Sequence, residues 1–146
     1  MRRRLRAVVL LTAVVSGVAC DESNPVGPTG LTSTEALIAA LRGQSATVVR
    51  GEVLPQSSNP FFSTNAQLIV VNGGTVSVFE YPSIAAAETD AAKVSPDGSF
   101  VGSTIITWIG PPHFYRSGRL IVLYAGSSDV VIRSLQAVLG RPFAQD

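Results

Sequence analysis

Residue types able to do chemistry are scarce in this chain, and they are spaced far apart. His113 is the only histidine and Cys20 the only cysteine in 146 residues. Nucleophilic catalysis by Ser or Cys needs a base within hydrogen-bond reach, so His113 would have to serve. It stands between Pro112 and Phe114, and no Gly-x-Ser-x-Gly or Ser-x-x-Lys motif accompanies it. His113 therefore reads as a rim or surface histidine. A zinc site needs further nitrogen or sulfur ligands, which one histidine and a cysteine at position 20 do not supply within one chain.

Two carboxylates, Glu52 and Glu80, fall in strand-like segments and could approach each other for general acid–base work. Outward polar positions of a half-buried sheet are the better reading of both. Glu88 and Asp90 sit off the apolar stripe of a predicted helix and read as its solvated face. Gly126-Ser127-Ser128 leads a strand into a helix, where backbone N–H groups can hold a phosphate. Asp129 already puts negative charge there, so ordinary capping is the better reading. No catalytic residue, metal ligand or cofactor is assigned.

The least ordinary feature is aromatic. Phe61 and Phe62 follow Pro60, and His113, Phe114 and Tyr115 follow Pro111-Pro112, close after Trp108. Exposed together, these six side chains would make an apolar surface for a protein or peptide partner. Buried, they would be the edge of a core.

Charge narrows the partner. Four of the eleven basic residues (Arg2, Arg3, Arg4 and Arg6) precede Cys20, and all ten acidic residues follow it. From Cys20 onward, seven basic residues face ten acidic ones, a net charge of −3. No Lys/Arg run remains, so the footprint of a nucleic-acid binder is missing.

The first nineteen residues read as an address. Met1–Arg6 is basic, and Ala7–Ala19 is uncharged and mostly apolar. That run is shorter than the roughly 20 residues a membrane-spanning helix needs. A basic start, a brief apolar stretch and small residues at its end describe a secretory signal peptide. Gly17-Val18-Ala19-Cys20 resembles a bacterial lipobox, which implies lipidation of Cys20 and a membrane anchor. Cleavage after Ala19 at a small-x-small site is the rival reading, and it leaves a freely secreted protein with a bare thiol. Asp21–Gly30 (DESNPVGPTG) is polar and rich in Pro and Gly, as expected of a flexible tether. The stretch Trp108–Gly126 is similar to one in small uncharacterised bacterial lipoproteins; that resemblance implies an envelope location and no activity.

The fold is expected over residues 31–143. Thr32-x-x-Glu35 predicts a capping box for a first helix that Gly43 closes. Ala46–Leu54 predicts a strand with a bulge at Gly51. Leu68–Val71 and Thr75–Tyr81 flank Asn72-Gly73-Gly74, a hairpin signal. Pro82 opens a second helix with the stripe Ile84, Ala87, Ala91, Val94. Ser95-Pro96-Asp97-Gly98 predicts a turn, Ser103–Ile109 a strand, and His113–Arg116 with Arg119–Ala125 a second hairpin. Ser128 opens a third helix, and Gly140 and Pro142 end it.

The predicted class is α+β, a two-layer sandwich of an antiparallel sheet with helices on one face. An echo between the two halves suggests a duplicated, ferredoxin-like arrangement as a variant. The stripes Ile84/Ala87/Ala91 and Ile132/Leu135/Leu139 are then expected on the same face of the sheet. The functional expectation is a cell-envelope lipoprotein acting as a non-catalytic binding or assembly-support module. A small carboxylate-dependent hydrolase and a freely secreted protein are the alternatives.

Overall fold

The computed structural model describes residues 30–146. The expected signal peptide, Cys20 and the tether up to Thr29 lie outside the described residues. The described chain is α+β, with three helices, a six-stranded antiparallel sheet and a small two-stranded one. The elements are α1 (Thr34–Gly43), β1 (Val48–Leu54), β2 (Ala66–Val71), β3 (Gly74–Glu80), α2 (Ile84–Ala91), β4 (Phe100–Val101), β5 (Thr104–Ile105), β6 (Pro112–Ser117), β7 (Leu120–Ala125), α3 (Asp129–Leu139) and β8 (Ala144–Gln145). Among the described residues, no helix is long and apolar enough to cross a membrane.

The large sheet has the order β1-β2-β3-β7-β6-β8, every neighbour antiparallel. Two hairpins joined edge to edge produce this order. The ferredoxin-like variant does not apply, because its crossover units place parallel strands side by side at the centre. The β2–β3 turn forms as its residues dictate: Asn72 (φ 47°) and Gly73 (φ 86°) both take positive φ, the requirement of a type I′ hairpin. Asn72 also accepts the Thr47 N–H at 2.8 Å and donates to the Ser134 hydroxyl at 2.9 Å, so one turn residue ties β1 to α3.

The bulge falls where glycine suggested it. Register slips between Arg50 and Val53. The interrupted ladder leaves carbonyls without strand partners, and the Gln67 amide donates to those of Gly51 (2.8 Å) and Glu52 (3.3 Å). A polar side chain thus satisfies backbone groups that the ladder drops.

Helix ends differ from expectation in detail. The first helix is capped by Ser33, whose hydroxyl accepts the Ala36 N–H at 3.1 Å, rather than by a Thr32–Glu35 box. Glu35 instead pairs with Arg50. Gly43 stays helical, and Ser45 (φ 63°) makes the left-handed step. Ser128 occupies the cap position of α3, but its hydroxyl caps nothing. Its N–H donates to the Tyr124 hydroxyl at 3.2 Å.

Packing divides the core in two. Leu37, Leu41, Val131 and Leu135, from α1 and α3, cluster with Val76, Val78, Leu120 and Val122 on one sheet face. This is the two-layer sandwich. Phe79, Ile121, Leu123 and Phe114 alternate with those residues along their strands and cluster with Ala87, Phe62 and Val101 on the other face. Strand side chains point alternately to opposite faces, so α2 lies across the sheet from α3. The expectation that their two stripes share a face is corrected. The cause is visible in β7: Leu120 to Tyr124 are all buried, a continuous apolar run that demands cover on both faces.

The remaining corrections concern the loops. Of the expected strand Ser103–Ile109, only Thr104–Ile105 pairs, and with β4 rather than the large sheet. The echo between the halves therefore does not extend to topology. β8 pairs with β6 beyond the expected domain end at residue 143.

Leu135 has no exposed surface. Leu135→Ala is expected to lower the unfolding free energy by about 2–5 kcal/mol, the usual range for a leucine removed from a packed core, read as a shift of the urea midpoint with unchanged slope.

Candidate functional site

The six side chains singled out in the sequence do not form one exposed surface. Phe62 (1% exposed) and Phe114 (0%) are core, and so is Tyr115 (0%). His113, expected at the rim, is 8% exposed. Alternation along β6 splits the set, with Phe114 on the α2 face and His113 and Tyr115 on the other. The reason is two-sided burial: β7 and the first four residues of its neighbour β6, Pro112–Tyr115, are covered on both faces. Cys20 lies outside the described residues.

His113 stacks on Tyr124 with ring planes 16° apart, and its Nε2–H donates to the Gly126 carbonyl at 3.1 Å. Its Nδ1 is buried without a partner. Burial, with Tyr124 nearby, pushes the Tyr115 phenol up to about 12. His113 thus contacts Tyr124 and the Gly126 carbonyl, and neither is a Ser or Cys nucleophile. Among the described residues, no group of three or more His, Cys, Asp and Glu is placed to hold a metal ion.

On the α2 face the aromatics pack edge to face. Phe62 meets Phe79 at 4.7 Å and Phe61 at 5.1 Å between ring centroids, and Trp108 meets Phe114 at 5.7 Å. These geometries suit the ring quadrupoles. Phe62 and Phe114 plug the core, while Phe61 and Trp108 remain half-buried. Phe61 and Trp108, 6.3 Å apart, become the wall of a groove of about 470 Å³. Ile109 forms its rim, wholly exposed. Thr75, Ser77 and Leu123, from β3 and β7, make its floor. No charged residue is among the described residues lining it. The Trp108 indole donates to the Gly98 carbonyl at 2.8 Å, which fixes the ring that separates this groove from a hollow of about 350 Å³ bearing Asp97 and Asp146. Hydrogen bonds from the Ser95 hydroxyl, and from the Ser99 N–H and hydroxyl, bring the Asp97 carboxyl down to about 2.

The carboxylates separate. Glu80 accepts from the Thr34 N–H at 2.9 Å and hydroxyl at 3.0 Å, with Arg119 at 3.5 Å. It anchors the start of α1, where negative charge suits the helix dipole. Glu52 lies two strands away on exposed β1 and does not share its cleft. That cleft, about 310 Å³, holds Glu35 as the second acid, and Arg50 pairs with it. Glu88 is exposed as expected and pairs with Arg116 at 2.7 Å.

Asp90 departs most from expectation. It is 2% exposed rather than solvated. Its carboxylate accepts from the Ser63 N–H at 2.7 Å and hydroxyl at 2.8 Å, and from Lys93 at 2.6 Å. Burial alone would raise its pKa, but Lys93 and the two Ser63 donors outweigh that and hold it below the usual carboxylate range. Burial and the Asp90 charge push the neighbouring Tyr81 phenol above the ordinary tyrosine value. Ser63 directly follows Phe61-Phe62, so this buried carboxylate on α2 holds the loop that builds the groove wall. The apolar stripe alone did not reveal it. The signal lay in Asp90 standing three residues after Ala87, the fully buried residue of the stripe, a spacing that puts both on one helix face.

Compared with protein-family models, with curated proteins and with solved structures, the chain matches none.

Asp90→Asn is expected to cost about 1–3 kcal/mol at neutral pH, the range for hydrogen bonds to a buried charged group. Because the folded-state pKa is lowered, the wild-type contribution is complete above the unfolded carboxylate value of about 3.9 and disappears as pH falls through the folded one. Urea denaturation from pH 7 downward should show the two proteins converging below about pH 4; a constant gap would contradict the ionised form assigned to Asp90.

Proposed function

We propose that this protein is a cell-envelope lipoprotein, anchored through Cys20, whose domain is a non-catalytic binding module. The observation that carries the binding part is the groove between Phe61, Trp108 and Ile109 over β3 and β7. Its volume lies within the roughly 300–1,000 Å³ typical of small-ligand sites, and its lining is predominantly apolar with a few hydroxyls. A wholly exposed isoleucine beside two half-buried aromatics is the kind of surface a partner covers. The anchoring part is supported by the sequence: a basic, then apolar, leader ends at the chain's one cysteine, before a polar Pro/Gly stem. Several acyl chains at about 0.8 kcal/mol per buried CH₂ would hold such a domain firmly to a bilayer.

The hydrolase reading draws less support. In the cleft that holds two acids, Glu80 is bound by Thr34 and Arg119 and Glu35 by Arg50. A general acid–base pair needs at least one carboxyl free to exchange a proton with substrate.

Two measurements test the proposal. Intact mass of the protein purified from its native membrane should show diacylglycerol on the wild type and none on Cys20→Ala; an unmodified, soluble wild type would remove the anchor. A photo-crosslinking residue at Ile109 should give adducts in cells, whereas one at Val130, exposed on α3, should not. Equal labelling at both positions, or none at Ile109, would remove the groove as the binding site.

A further inference from the structure

The groove is floored by the face of a sheet rather than by its edge. β3 is hydrogen-bonded to β2 and β7, and β7 to β3 and β6. The floor therefore offers no row of free strand-edge donors and acceptors. The polar groups of the lining are the Thr75 and Ser77 hydroxyls and the Asn59 amide, whose nitrogen is buried without a partner. A peptide lying on the floor would leave most of its own amides unpaired. Burying such groups without partners is costly. A ligand that carries no amides along its length avoids that cost.

The sequence around the groove is equally selective. From Gly98 to Tyr115 no Asp, Glu, Lys or Arg occurs, and the one titratable base in that stretch, His113, is buried on the other face. Ile105 (72% exposed) and Ile109 (100%) bring bare aliphatic surface to this loop, and Phe100 (43%) adds to it. Tryptophan beside such residues, with its N–H satisfied by Gly98, presents an apolar ring of the kind found at membrane interfaces. The adjoining hollow carries Asp97 and Asp146, which disfavour an anionic head group.

Reach is sufficient. Leu31 is held at the β6–β7 turn through the Ser117 hydroxyl, so the stem joins the domain at one end of β7, while the groove lies at the other, near Leu123 and Ala125. β7 is about 20 Å long at the usual strand rise. The ten residue steps from Cys20 to Gly30 span up to about 35 Å, so an anchored domain can turn this end to the bilayer.

We infer that the groove takes the acyl chain of an amphiphile whose head group is not anionic, drawn from the membrane surface to which the domain is tethered. The inference rests on the groove being the binding site, and it names what occupies that site. The chain lies against Phe61, Trp108 and Leu123, with Ile109 at the mouth and the head group left in water.

Trp108 is the single tryptophan, so contact with a heavy atom on the ligand can be read directly. The probe is a monoacylglycerol brominated along its chain, added below its micellar concentration to the full-length chain bearing Cys20→Ala. Saturable loss of most Trp108 emission is expected, reversed by the unbrominated monoacylglycerol. Thr75→Arg places a charge at an exposed position of the groove floor and should abolish the quenching while leaving the melting temperature unchanged. Absence of quenching in the Cys20→Ala chain, or the same quenching with Thr75→Arg, would overturn the inference. Photo-adducts at Ile109 without quenching would retain the groove as a site and assign it to a protein or peptide instead. Loss of both would end the binding reading itself.

Discussion

The central strands of this domain are apolar on both sides, and most of the architecture follows from that constraint. Every residue from Leu120 to Tyr124 is buried, and β3 presents Val76 and Val78 to one face and Phe79 to the other. At roughly 25 cal/mol per Å² of apolar surface, neither face can be left to water in a domain of this size. The helices α1 and α3 cover the first face with leucine, isoleucine and valine. The second face has only one short helix, so its cover is completed by aromatic loops. Phe62 and Val101 fill in what α2, with Ala87 as its one fully buried apolar residue, is too slight to reach. The groove lies where that improvised cover stops.

Charged side chains in this fold act mainly as fasteners between elements. Glu80 at the end of β3 holds the first turn of α1 through Thr34 and approaches Arg119 at the β6–β7 turn. Asp90 at the end of α2 holds Ser63 and hence the aromatic loop. Arg116 on β6 reaches Glu88 on α2. In each case a carboxylate with directional hydrogen bonds ties one element to another. Of the three carboxylates, only Asp90 is buried, and its bonds, to a charge held away from water, are the strong ones. The lone pairs of Glu80, Glu88 and Asp90 are thus engaged by the protein's own donors.

The same economy shapes the proposed ligand site. A groove whose floor is the face of a sheet and whose wall is aromatic provides mainly dispersion contacts, with the Thr75 and Ser77 hydroxyls and the Asn59 amide as its few polar groups. Its selectivity would rest on shape, on the exclusion of charge and on a location beside the membrane, rather than on polar recognition.

Local chemistry determined a large part of the molecule from the sequence alone. Asn72-Gly73 could only be a hairpin turn, because both residues tolerate positive φ. Gly51 marked the bulge, and the stripe of Val131 and Leu135 marked a helix with one apolar face. These signals act within a few residues, where torsional preference and side-chain period are decisive. The unbroken Leu-Ile-Val-Leu-Tyr run of β7 is consistent with two-sided burial, yet the expected arrangement puts the helices on one face only. Tertiary structure decided the rest. Which face α2 would cover, that Asp90 would be buried while Glu88 stayed in water, and that six aromatic residues would divide between two cores all depend on contacts between segments distant in the chain. A helical or strand period states which side of an element is apolar, but the partner that covers that side is chosen by competition among all segments for the same sheet, and no local spacing records the outcome.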